Sequence, residues 1–293
     1  MIWMINQGYS YWLLLPPLVL ASGLLVRIFI FFHDCGHGSF LPSKKWNTFL
    51  GYLTGIITYT PYEEWRLSHA EHHASVGNLD ERGHGDIWTL TIDEYKSAPW
   101  YTKVAFRVYR NPFVMFIIGP LVMFMILQRF ASKNAQPRER RSVYITNVAL
   151  VALWVTMHYT IGLKTYLMIQ VPIMMISGTL GVWLFYIQHQ YEDVYWQRHD
   201  EWDPIKAALE GSSYYKLPGW LQWFTGNIGL HHIHHLRPRI PNYTLQQVFD
   251  EVPELQNIEP ISIWKSFKSL FLHLWDEKKQ ELVGFRALKT QTE

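Results

Sequence analysis

The sequence predicts an all-α integral membrane protein, in which transmembrane helices hold a helical cytosolic cap carrying a histidine-rich metal site. Three observations predict it. Tyr11–Phe32 is uncharged apart from Arg27, and a helix of that length reaches about 33 Å, beyond the ~30 Å of a bilayer's hydrocarbon core. Eight of the fourteen histidines fall into three boxes, His33-x-x-x-His37, His69-x-x-His72-His73 and His231-x-x-His234-His235. Finally, 49% of residues are hydrophobic yet mean hydropathy is only −0.05. Long apolar runs therefore alternate with polar stretches, and the boxes lie in the polar ones.

Taken in chain order, the span at 11–32 reads as retained. Leu20-Ala21-Ser22 faintly resembles a cleavage site, but no basic segment precedes it and the apolar run continues into His33. Further apolar segments fall at about 48–61, 112–128, 143–163 and 168–188. If all of them crossed, the boxes would lie on opposite faces, so an even number of crossings must separate consecutive boxes. The segment 48–61 holds Gly51 and Gly55 and ends at Pro61, which suits a re-entrant or interfacial piece. Pro120 interrupts 112–128, and Arg129, Lys133, Arg138, Arg140 and Arg141 follow it, opposed only by Glu139. That bias places the loop in the cytoplasm, so 112–128 dips in and returns. Segments 143–163 and 168–188 then form a hairpin, out and back. The expectation is one membrane domain over 1–293, an outside N-terminus, and a cytosolic cap of 33–110 and 189–293. In the polar tail, Ile263, Trp264, Phe267, Leu270, Phe271, Leu274 and Trp275 follow helical spacing, with Lys265 and Lys268 between them. An amphipathic helix lying on the bilayer is expected there.

Net charge is +2 and selects no class of partner, while the single cysteine, Cys35, excludes an internal disulfide framework and, with no Cys-x-x-Cys pair, a Cys-ligated zinc or iron–sulfur cluster held by this chain alone. On a helix, positions i, i+3 and i+4 share a face, so each box aims two or three imidazoles at one point. Eight imidazoles exceed the four ligands of a structural zinc and suit two ions with open positions. Imidazole accepts iron, copper, zinc and nickel alike, so spacing does not choose among them. His189, at the end of the last apolar segment, is a ninth candidate ligand. His232 points about 100° away from His231 and is expected to support the site or face solvent. His84, His158, His199 and His273 lack paired spacing and read as structural. Asp34, Glu71, Glu192 and Asp193 are candidate acceptors for imidazole N–H groups. A non-enzymatic metal carrier would need ionisable residues along its spans, and these spans hold almost none.

HDCGHGSF at 33–40, HAEHH at 69–73 and GNIGLHHIHH at 226–235 resemble the membrane fatty acid desaturase superfamily. Gly77-Asn78-Leu79-Asp80, Gly85-Asp86-Ile87-Trp88, Tyr109-Arg110-Asn111-Pro112-Phe113 and Glu210-Gly211-Ser212-Ser213 resemble its Bacillus-type acyl-lipid Δ5 phospholipid desaturases, and the likeness runs from about Arg27 to Trp275. The resemblance implies a non-haem di-iron centre that uses O2 to place a cis double bond in phospholipid acyl chains, in service of membrane fluidity. It implies nine iron ligands, His33, His37, His69, His72, His73, His189, His231, His234 and His235, with Asn227 reaching iron through water. It places the enzyme in the cell membrane with its site on the cytoplasmic face. No His-Pro-Gly-Gly haem motif is present, so the resemblance implies a separate electron donor, a ferredoxin or flavodoxin. A hydroxylase of the same superfamily would share the ligand spacing. Family members carry a further apolar segment ahead of this first span, whereas here Met1 begins just before it.

Overall fold

The structure is a computed structural model and describes residues 1–83 and 85–290; His84 lies outside the described residues. Its principal helices are α1 (Leu15–His37), α2 (Lys44–Ile57), α3 (Tyr62–Ser75), α4 (Trp100–Tyr109), α5 (Pro137–Thr160), α6 (Leu163–His189), α7 (Pro204–Glu210) and α8 (His231–Leu236). The chain divides into two compact units. One comprises residues 1–67, 116–182 and 223–226, and the other the described remainder.

The first unit is apolar and helical. Among the described residues, three helices are long and apolar enough to cross a membrane: Tyr11–His37, Pro137–Thr160 and Leu163–His189. The first combines a 3-10 turn with α1, whose early Pro16 and Pro17 suit a helix start. It stops at Gly38, whose left-handed φ of 68° lets its N–H reach the Cys35 carbonyl at 3.1 Å. That stop puts His33 and His37 on the last turns of α1. By contrast, α2 has 14 residues, about 21 Å of helix and too short to cross. Gly51 of α2 is a close-approach position, because a Cβ there would sit 2.2 Å from the Tyr62 ring. Phe32, Cys35 and Tyr62 form the buried cluster beside it, and the Tyr62 hydroxyl donates to the Cys35 carbonyl at 2.7 Å.

Two features of this unit differ in detail from the sequence expectation. The helix expected from 143 begins at Pro137, so Arg138, Arg140 and Arg141 lie on its first turns. Their neighbourhood is also less solvated than a free loop. Glu63 is fully buried and accepts from Arg138 at 2.6 Å and Arg66 at 2.9 Å. Arg129 donates to Asn147 Oδ1 at 3.0 Å and to the Tyr59 carbonyl. The second feature is the stretch after Pro112, a π-helical turn Val114–Ile118 followed by Gly119–Met125 and a 3-10 turn Leu127–Arg129. Pro120 lacks the N–H that would continue a regular ladder, and the broken path follows.

The second unit is polar and adds a small sheet to the helical plan. Strands β1 (Leu90–Thr91), β2 (Leu274–Asp276) and β3 (Glu281–Val283) lie in that order, β1 and β2 parallel, β2 and β3 antiparallel. This corrects the expected amphipathic helix over 263–275. Helical structure there ends by Phe271, after one α-turn Ile263–Ser266 and a 3-10 turn Phe267–Phe271. Leu274 and Trp275 instead enter β2 and are buried, Leu274 against Ile92 and Phe106, Trp275 against Val194 and Trp196. Alternate strand residues face opposite sides, so neighbouring apolar residues can serve two cores, which a helical stripe could not. Arg110 ties the unit together from inside. It is 3% exposed, and its guanidinium donates to Gln190 Oε1 at 3.0 Å and to the Leu272 carbonyl at 2.7 Å.

Candidate metal centre

All the candidate histidines beyond Leu67 belong to the second unit. Helix α3 brings His69, His72 and His73 onto one stripe, and α8 does the same for His231, His234 and His235. The short α8 is aimed by the turn before it. Asn227 holds φ at +55°, a left-handed conformation that asparagine tolerates better than most residues. Gly229 then passes so close to the Tyr215 carbonyl that a Cβ would sit 2.3 Å from its oxygen. The Tyr215 N–H donates to the Gly229 carbonyl at 2.7 Å, and the His231 N–H to the Ser213 carbonyl at 3.2 Å. The ends of α6 and α8 thus converge through the 211–215 segment.

His72, His189, His231 and His235 form one group, all buried, with ligand atoms within 4.8 Å of one another. Their Nε2 atoms run in sequence, His72 to His189 at 3.1 Å, His189 to His231 at 3.0 Å, and His231 to His235 at 3.1 Å. His69, His73 and His234 make a second run, with His73 Nε2 3.1 Å from both His69 Nε2 and His234 Nε2. In the first unit, His33 and His37 lie with ring centroids 4.8 Å apart, and His33 Nδ1 is 3.1 Å from Asp34 Oδ1.

Hydrogen-bond partners fix two tautomers. His189 Nδ1 lies 3.1 Å from the Gly211 carbonyl and His72 Nδ1 lies 2.5 Å from Asp86 Oδ1. Carbonyl and carboxylate oxygens only accept, so Nδ1 carries the proton in each ring and Nε2 presents a lone pair. Two facing lone pairs at 3.1 Å are not a hydrogen bond. They repel unless a cation lies between them. Ligand nitrogens at about 2.1 Å from a metal are about 3.0 Å apart at right angles and about 3.4 Å apart at the tetrahedral angle. The observed spacings of 3.0–3.1 Å are close enough for these nitrogens to share one ion. Burial, joined by the neighbouring His73, His231, His189 and His72, holds His235 well below the ordinary histidine range, so it stays neutral and able to donate its lone pair. Phe185 walls the group, 5.2 Å in ring centroid from both His72 and His189. The all-imidazole donor set fits transition-metal binding, and among the described residues no Cys or carboxylate joins it.

The candidate supporting residues separate clearly. Asp34 touches His33. His232 is buried with Nε2 3.1 Å from the Leu255 carbonyl, which fixes its proton there and turns the ring out of the group. Asn227 uses its side-chain amide to donate to the Asn242 carbonyl at 3.3 Å. Glu71, Glu192 and Asp193 are exposed and require correction as imidazole acceptors. On α3, Glu71 sits about 100° from His72. Glu192 and Asp193 line a separate charged cavity of about 220 Å³ with Lys265 and Lys268, which none of the histidines lines. The acceptors sequence reasoning missed are Asp86 and the Gly211 carbonyl. Gly85-Asp86 was visible as a motif, but nothing local tied it to His72. Of the unpaired histidines, His199 is exposed beside Glu81 and His273 stacks on Phe285 with centroids 4.4 Å apart.

Comparison with known proteins agrees with this geometry. The fatty acid desaturase family model matches residues 10–265. A fatty acid desaturase of Bacillus subtilis (strain 168) is 51% identical over 285 residues, covering 97% of this chain and 81% of that protein. The sn-1 acyl-lipid omega-3 desaturase (ferredoxin) of Synechocystis is 27% identical over 87% of this chain and 73% of its own length. The sn-2 acyl-lipid omega-3 desaturase (ferredoxin), chloroplastic, of Helianthus annuus is 29% identical over 80% of this chain and 54% of its length. The buried histidine groups and the match over most of its length make this chain a member of the fatty acid desaturase family, a membrane oxidoreductase.

Proposed function

We propose that this desaturase inserts a cis double bond at Δ5 in the acyl chains of membrane phospholipids, using O2 and two iron ions. The observation that carries the reading is the buried four-histidine group, in which His72 and His189 turn Nε2 lone pairs inward, in a chain 51% identical to a fatty acid desaturase. The ligands in this reading are His33, His37, His69, His72, His73, His189, His231, His234 and His235, with Asn227 acting through water. Electrons come from a ferredoxin or flavodoxin, in keeping with the ferredoxin in the names of two relatives. The site faces the cytoplasm from the cell membrane.

The chemistry explains why such a centre is needed. An unactivated methylene has no acidic proton, so side-chain acids and bases cannot start the reaction. Bound iron supplies the oxidising power, and the protein supplies placement and exclusion of side reactions. Overall, two hydrogens leave adjacent methylenes, and with two electrons and two protons O2 becomes two waters. The chain's own part is to hold these imidazoles in orientation, which Gly211 does for His189 and Asp86 for His72, while Phe185 keeps an apolar wall against them.

Expression in a bacterium lacking desaturases, followed by gas chromatography–mass spectrometry with double-bond localisation, tests the proposal. New Δ5 monounsaturated chains, absent in a His72→Ala variant, are expected. An added hydroxyl group would replace the reading with hydroxylation, and a bond at another position would replace Δ5.

A further inference from the structure

Asp86 lies outside every histidine box, in the connection between α3 and β1. Its carboxylate is 7% exposed, and among the described residues His72 is its only ion-pair partner, at 2.5 Å. Its other oxygen is 3.4 Å from the Gly83 N–H. The loop that carries it is held at several points. Gly85 adopts φ +74° and packs against α3, where a Cβ would come into van der Waals contact, 3.4 Å from both His72 Cβ and the Ser68 carbonyl oxygen. Arg82 pairs with Glu94 and donates to the Leu79 carbonyl at 2.6 Å. Asp80 accepts from Arg198 at 2.6 Å and from the His199 N–H at 2.9 Å, and Arg198 also pairs with Glu277 at 2.8 Å. A pinned loop therefore delivers one nearly buried carboxylate to one ring nitrogen.

We propose that Asp86 is a positioning residue for the metal centre, acting through His72; this rests on the reading of the histidines as metal ligands. The carboxylate holds the Nδ1–H tautomer, aims Nε2 into the four-histidine group, and makes His72 a stronger donor than a ring hydrogen-bonded to a neutral group. His189, next in the group, has the neutral Gly211 carbonyl in the equivalent place. The two neighbouring ligands thus differ in the charge behind them, and the ion they share is supported from the His72 side. Partners of this kind set metal affinity by about 10–100-fold.

The test uses the full chain, purified in detergent, as wild type and as Asp86→Glu, Asp86→Ala, Asp86→Asn and Arg82→Gln. Iron affinity is measured by competition with a chelator, thermal unfolding on the metal-free protein, and the metal environment by Mössbauer spectroscopy of 57Fe-loaded samples. Asp86→Asn and Asp86→Ala are expected to lose about 10–100-fold in affinity for one iron while metal-free unfolding stays unchanged. Asp86→Asn should be no better than Asp86→Ala, because its amide can donate to Nδ1 and stabilise the wrong tautomer. Asp86→Glu should restore binding in part and alter one component of the Mössbauer spectrum, leaving the other in place. Wild-type affinity in Asp86→Asn and Asp86→Ala would overturn the proposal. So would losses that track metal-free stability and are matched by Arg82→Gln, since Asp86 would then only hold its loop. If the wild type takes zinc but no iron and the same ranking holds for zinc, positioning stands and the di-iron reading fails. If the wild type takes neither metal, both fail.

Discussion

A histidine's role in this protein is decided by which ring nitrogen is already engaged. His189 and His232 are both buried and both bonded to a backbone carbonyl, yet through opposite nitrogens. His189 gives up Nδ1 and keeps Nε2 for the group, whereas His232 gives up Nε2. Replacing His189 by Ala should therefore remove bound iron, and replacing His232 by Phe should retain it. The second change leaves the Leu255 carbonyl unpaired and should cost about 1–3 kcal/mol of stability. Iron content beside chemical unfolding separates the two, and retention of full iron in His189→Ala would refute the assignment. His273 makes a pH prediction. Burial, reinforced by Arg110 and Arg107 against a hydrogen bond to the Phe271 carbonyl, holds it down to about 4. An unfolded histidine titrates near ~6.5, so between these values the unfolded state binds more protons. Stability should fall as pH drops from about 6.5 to 4 and change little from this group below that. A His273→Phe variant should show a shallower fall in melting temperature across that window. An identical slope in the variant would show that His273 contributes nothing to it.

At the scale of elements, the site depends on how α8 is launched. The helix spans only His231–Leu236, too short to hold itself by propensity, so its direction comes from the preceding turn. Gly229→Ala drives a Cβ into the Tyr215 carbonyl oxygen at 2.3 Å, a backbone atom that cannot rotate away. The variant should lose about 1–3 kcal/mol from overpacking and also lose iron, because His231, His234 and His235 all move together. Loss of stability with full iron occupancy would show that α8 is aimed by something else. This element also marks what the sequence could and could not disclose. HxxHH spacing exposed the shared faces of α3 and α8, since helical period is a local property. The apolar runs disclosed the long helices for the same reason. The strand at Leu274–Asp276 was hidden, because its apolar residues also satisfy a helical period and its parallel partner at 90–91 is remote in sequence. Asp86 was hidden likewise: its meaning comes from a loop folded back on α3, and no periodicity reports that.

For the whole molecule, the question is which side of the membrane holds the histidines. The three helices able to cross, Tyr11–His37, Pro137–Thr160 and Leu163–His189, place His37 and His189 at C-terminal ends and Pro137 at an N-terminal end. If these three and no other segment cross, His37, Pro137 and His189 lie on one side and the Ile161–Gly162 connection between α5 and α6 on the other. The positively charged residues around 129–141 favour the cytoplasm for the first of these sides. The chain offers a direct test, because its single cysteine, Cys35, is buried at 1% exposure and gives little background to thiol labelling. Lys164, at the start of α6, and Lys216, in the polar unit, are both exposed. In intact cells, a membrane-impermeant maleimide should label Lys164→Cys and leave Lys216→Cys unlabelled until the membrane is permeabilised. The reverse pattern would place the histidines outside. Labelling of both residues in intact cells, with the membrane shown to be sealed, would mean an even number of crossings between Lys164 and Lys216. Helix α6 would then not cross, and the parity argument that brings three boxes to one face would fail.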